Sequence, residues 1–287
     1  MLKAVLLMGI LAVFLIYGCS DDNGGTPPDE GDLTDPAFLF ADEVLGMHMN
    51  NLNLMSIEGI MGDIVDSVFE NEVAGKLGIK LQKPSYNVVL ITSSYVQDGN
   101  WYRFTDSLAV FPTSTDEPDS VLYSGTDSVA FFCDGALTAP PDLETLDSVH
   151  YKNNGTFVFY SDNTVLTIDY TSWFTVSGQF GSDLFTVDGT VDYDVSGVVE
   201  FDEEETCDGT MVLSVVYTDM DFDWTDDLIP VEGNASATAT ISFSCDEGIS
   251  YPDVEGAWTA SWALGNGSVT STYVHGEDRW VYTESLE

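Results

Sequence analysis

From Pro84 onward apolar and polar residues alternate with a period of two, segment after segment, and no stretch reads as a crossover helix between them. This alternation constrains the fold more than any other feature. Successive side chains of a strand point to opposite faces, so each segment offers one face to a core and one to water. Parallel neighbours need crossover connections of a dozen residues or more, usually helical, so doubly wound folds and α/β barrels are excluded.

About fourteen candidate strands follow from the pattern. The first half holds Tyr86 to Tyr95, Trp101 to Phe111, Ser120 to Tyr123, Ser128 to Cys133, Ser148 to Lys152, Thr156 to Tyr160, Thr164 to Thr171 and Trp173 to Phe180. The second holds Thr190 to Phe201, Thr210 to Met220, Ala235 to Cys245, Ala257 to Leu264, Ser268 to His275 and Arg279 to Thr283, and some of the fourteen should merge. Asn154-Gly155, Asp162-Asn163 and Asn266-Gly267 stand between alternating segments as tight hairpin turns require, since Asn and Gly tolerate positive φ. The expected fold is mainly β: a large antiparallel meander curled into a barrel or half-barrel, with a β-sandwich as the alternative. An Asp-Ser-Val or Asp-Ser-Leu phrase recurs at Asp106, Asp119, Asp127 and Asp147, and reads as turn grammar opening a strand.

Residues 36 to 75 carry the plausible helices. Leu54, Ile57, Met61, Ile64, Val65 and Val68 recur at three- and four-residue spacing, which makes one apolar stripe suited to packing on a sheet. Methionines concentrate in this region, and their adaptable side chains make Met47, Met55 and Met61 a candidate lid over a ligand cavity.

Forty-nine acidic residues against seven basic ones give a net charge of −42. Such a chain is repelled by nucleic acid and by anionic membrane faces, so no nucleic-acid partner is expected. With 44 % hydrophobic residues the acidity belongs to a solvated surface of a folded chain, one that salt should stabilise by screening.

At the N-terminus, Lys3 precedes the apolar run Ala4 to Ile16, the length of a signal-peptide core and short for a membrane span. The run ends in Ile16-Tyr17-Gly18-Cys19, which resembles the signal of bacterial lipoproteins. That resemblance covers about the first thirty residues and implies cleavage before Cys19, acylation of Cys19, and a membrane partner through the lipid anchor. Ser20 after the cysteine is similar to the outer-membrane sorting pattern, so the implied location is the bacterial cell envelope. Residues 1–18 are then a signal peptide, residues 19–35 a flexible tether of Gly, Pro and acid, and residues 36–287 a single β-rich domain.

Chemistry is scarce. Cys207 stands just before one candidate strand and Cys245 ends another, so a hairpin would bring them together as a disulfide and leave Cys133 a buried thiol. His48, His150 and His275 are isolated, with no second histidine at ligand spacing, and the Gly-x-Ser-x-Gly elbow is absent. A short acidic run follows Phe201, and Asp219, Asp221 and Asp223 share one face of a strand. They are a weak calcium candidate, because an EF-hand counted from Asp219 would need Gly where Trp224 stands and Glu where Pro230 stands. No cofactor is otherwise implied. Trp258, Ala260 and Trp262 share a face, as do Trp101 and Arg103, a pattern common to core and to a sugar-stacking platform, with core favoured. The expected function is therefore non-enzymatic: an envelope lipoprotein holding an apolar or amphiphilic ligand in a β cup. The alternatives are a structural or adhesive module binding protein or glycan and, last, a hydrolase.

Overall fold

The computed structural model describes residues 33–35, 37–39, 41–42, 45, 86–112, 120–139, 141, 145–161, 164–178, 184–201, 205–223, 229–245 and 254–285. Twelve strands make one antiparallel sheet: β1 (Tyr86–Asp98), β2 (Trp101–Pro112), β3 (Ser120–Cys133), β4 (Ala136–Thr138), β5 (Leu146–Ser161) and β6 (Thr164–Ser177), then β7 (Leu184–Phe201), β8 (Glu205–Asp223), β9 (Ile229–Cys245), β10 (Gly256–Gly265), β11 (Ser268–His275) and β12 (Asp278–Ser285). Strand order follows chain order, except that β3 pairs with β5 and the short β4 folds back on β3. The sheet ends at β1 and β12, which do not pair, so it is open and not a closed barrel. All twelve strands belong to one sheet, which sets the sandwich aside.

Several expected strands fuse. Asn154-Gly155 is no hairpin turn: both residues lie inside β5, where Gly155 pairs with Gly125 on one side and Tyr170 on the other. The reason is space. A Cβ on Gly155 would come within 3.0 Å of the Tyr170 hydroxyl, and one on Gly125 would collide with the Tyr123 hydroxyl. Glycine is required here because two phenols fold over the sheet, and not because the backbone turns. Asp106-Ser107-Leu108 and Asp127-Ser128-Val129 likewise fall mid-strand, in β2 and β3, so their reading as turn grammar is corrected. The Asn266-Gly267 turn between β10 and β11 does take positive φ at both residues, 56° and 70°, as a two-residue hairpin requires.

Directly paired residues of adjacent strands share a face, so the register sorts the side chains into two sets. The inner set is apolar and aromatic. It holds Phe174, Leu213, Val215, Tyr217, Ala235, Ala237, Trp258, Ala260, Trp262, Tyr273 and Trp280, all buried. Burying the larger apolar side chains of this set contributes roughly 1.5–3 kcal/mol each.

The N-terminal helical residues seat on this inner set. The Asp35 carboxylate accepts a hydrogen bond from the Ala37 N–H at 2.9 Å, the geometry of a helix N-cap. Ala37, Phe38, Ala41 and Leu45 are then buried against the core. The Phe38 ring meets Tyr273 and Tyr282 edge-on, with centroids 5.9 and 5.7 Å apart. Asp42 accepts hydrogen bonds from the hydroxyls of both tyrosines. Met47, Met55, Met61 and Cys19 lie outside the described residues.

Candidate functional site

The outer set of side chains is built differently. Thr105, Thr126, Asn154, Thr171 and Asp192 form one register row across β2, β3, β5, β6 and β7. Beside it, Ser107, Ser124, Thr156, Asp169 and Asp194 form a second, which continues to Val212 on β8. These two rows line a shallow groove of about 610 Å³, whose floor includes the backbone of Gly125 and Gly155. Within it the Thr105 and Thr126 hydroxyls lie 3.2 Å apart, and Thr156 donates to the Asp169 carboxylate. Asp169 and Asp194 sit directly opposite each other on neighbouring strands, with Asp192 two residues away on the same face. Like charges so placed repel, and ligand hydroxyl donors would relieve that cost.

One turn of pleat away, the same face carries Arg103, Lys152 and Trp173 in register through Ser128. The Lys152 ammonium lies 4.8 Å from the Trp101 ring centroid and 4.7 Å from that of Trp173. Trp173 is 51 % exposed, a large indole standing on the solvent side of the sheet. Arg103 pairs with Asp98 at 3.6 Å. His150 stacks on Phe132, and partial burial, with Lys152 as the second cause, holds its pKa below the usual 6.5.

On the inner face below the groove lies a polar cluster. Asp127 accepts from the Tyr151 hydroxyl at 2.5 Å and from the Asn153 amide, and the Tyr123 and Tyr170 hydroxyls meet at 3.3 Å. Burial first, and the Asp127 charge second, push the Tyr151 phenol well above its ordinary pKa. The Tyr151 phenol thus stays a neutral donor to Asp127, and the Tyr123 and Tyr170 rings fill the space over Gly125 and Gly155 beneath the groove.

The residues singled out from sequence are distributed as follows. Cys207 and Cys245 pair directly across β8 and β9 and are joined by a disulfide, with Cα atoms 4.0 Å apart. Cys133 is buried at the end of β3. Asp219, Asp221 and Asp223 do not make a regular acidic face. The register between β8 and β9 shifts from Thr218 to Asp221, and Asp219 takes a positive φ of 49° that breaks the alternation. Asp221 instead accepts from Thr186 at 2.5 Å, and the Asp219 N–H donates to Asp188 at 2.9 Å. The Asp223 side chain lies outside the described residues, among which no group of three or more His, Cys, Asp or Glu side chains converges to hold a metal ion. Trp258 and Trp262 are 1 % and 2 % exposed and belong to the core.

The groove itself went unread in the sequence. Alternation marks which residues of one strand face outward, but only the register shows that outward positions of six strands line up, and the fused strands at Gly125 and Gly155 hid its centre. No protein-family model matches the chain, and no curated protein and no solved structure matches it.

Proposed function

We propose that the chain is a non-enzymatic, lipid-anchored envelope module that binds a neutral glycan in the groove on the outer face of the sheet. The observation that carries this reading is the groove's lining: hydroxyls, an amide and three carboxylates, aligned in register beside an exposed indole. Sugar hydroxyls pair with such donors and acceptors, and pyranose faces stack on Trp173. A net charge of −42 and the carboxylates Asp169, Asp192 and Asp194 favour a neutral ligand over a polyanionic one. Binding is favoured over hydrolysis because Asp169, Asp192 and Asp194 are all exposed, whereas a general acid is tuned by an apolar pocket. An apolar ligand finds less support. The groove is lined chiefly by Ser, Thr, Asn and Asp residues, and the inner face at β10–β12 is filled by Phe38, Trp258 and Tyr273.

Ile16-Tyr17-Gly18-Cys19 supports the anchor, which would hold the module at the membrane surface. Titration of the full-length, detergent-extracted protein with a panel of neutral oligosaccharides, read by calorimetry and tryptophan fluorescence, tests the reading. At least one member binds, and Asn154→Ala or Asp192→Ala weakens it tenfold or more, by roughly 1.4 kcal/mol. Failure of every neutral oligosaccharide to bind overturns it.

A further inference from the structure

The groove is the beginning of a longer surface. Its first register row does not stop at Asp192 but continues to Ser214 on β8, Thr238 on β9 and Thr259 on β10. Across β8 to β11 the outward positions flanking this row are Ser, Thr, Ala, Val and Asn, without an ionised side chain from Thr210 to Thr218 on β8 or from Asn234 to Ser244 on β9. In a chain of net charge −42, a charge-free face spanning several strands is a departure that solubility does not require. Val212 and Val216, 55 % and 39 % exposed, lie within it.

We infer that the ligand is a single neutral polysaccharide chain that leaves the groove and runs on, across the strands, over the outer faces of β8, β9 and β10. This rests on the glycan reading of the groove. Neighbouring strands are about 4.8 Å apart, so the row from Thr105 to Thr259 covers eight strands and roughly 34 Å. Successive strands also rotate by about 20–25°, so a rigid flat surface loses contact after a few strands, whereas one flexible chain follows the twist. A second copy of this protein would bring another −42 to the interface and meets the same twist. A neutral polymer meets neither obstacle on a face whose hydroxyls are spaced at every strand.

The test is a chain-length series of one neutral oligosaccharide, up to the polymer, titrated into full-length protein and into Thr238→Lys. Thr238 is exposed and outside the groove, so the variant leaves the fold and the groove intact. Affinity should rise by at least about tenfold once the ligand outgrows the groove, and Thr238→Lys should remove that gain while short ligands bind as before. Affinity that is flat with length, or a gain that survives Thr238→Lys, overturns the inference and leaves the glycan reading standing. Absence of binding at every length sinks both. A dimer in sedimentation that Thr238→Lys dissociates assigns the face to a second copy and also overturns it.

Discussion

The Tyr273 hydroxyl donates to the Asp42 carboxylate at 2.9 Å across a sequence separation of 231 residues, tying the first described helical turns to the penultimate strand. Tyr282 on β12 donates to the same oxygen, and Trp262 donates to the Tyr273 hydroxyl from the other side at 3.3 Å. Burial first, and Asp42 second through its charge at Tyr273 and its hydrogen bond at Tyr282, push both phenols well above their ordinary pKa, so they stay neutral hydroxyls at neutral pH.

Removing the acceptor leaves the hydroxyls of buried Tyr273 and half-buried Tyr282 without it. Asp42→Ala should cost about 1–3 kcal/mol in urea denaturation, and Asp42→Asn, which retains an acceptor oxygen, distinctly less. Equal losses in the two variants would mean that the carboxylate's hydrogen bonds do not hold the segment down.

The Cys207–Cys245 bridge spans 38 residues, for which loop-closure entropy gives about 4 kcal/mol of stabilisation. Cys207→Ser with Cys245→Ser should lower the free energy of unfolding by an amount of that order. Alkylation of the denatured, unreduced chain, read by mass, should miss these two cysteines; their modification would contradict the bridge.

Gly189 faces the core between Phe174 and Tyr217, and a Cβ there would run into the Trp173 carbonyl and the Phe174 ring. Gly189→Ala is expected to destabilise by about 1–3 kcal/mol or more, since backbone must shift to make room. At Gly265 nothing lies within 4 Å of a Cβ, and the same substitution should fall within about 0.5 kcal/mol of neutral. Thermal melts of the two variants side by side check the contrast.

His150 gives the pH prediction. Its folded pKa lies below the unfolded value of 6.5, so between those values the unfolded chain holds more protons than the native one. Stability attributable to this group is therefore present above 6.5 and is lost as pH falls through the lowered folded value. A native-state NMR titration should place the imidazole midpoint under 6.5, and His150→Gln should flatten the dependence of stability on pH in that window.

The class of fold was legible because period-two alternation is a property of each strand taken alone. Trp258, Ala260 and Trp262 alternate with Thr259 and Ser261, and they are buried as that pattern requires. What alternation does not encode is why a residue is small or polar. Gly155 and Asp127 look like turn residues because Gly and Asp favour turns, yet one makes space for the Tyr170 ring and the other accepts from Tyr151 and Asn153 inside the sheet. The same blindness hid the groove. Thr171 and Asn154 are unremarkable outward residues until the register sets them side by side.

Because each main strand pairs with the one before it, β4 aside, the sheet can lengthen hairpin by hairpin as the chain emerges, with modest loop-closure entropy at every step. Its lid cannot. Phe38 and Asp42 leave the ribosome first, but their seat is built from Tyr273, Trp280 and Tyr282, which are made last. Residues made before the whole sheet are thus the last to find their place, and a chain cut short before β11 would lack the Tyr273 and Tyr282 that Phe38 packs against.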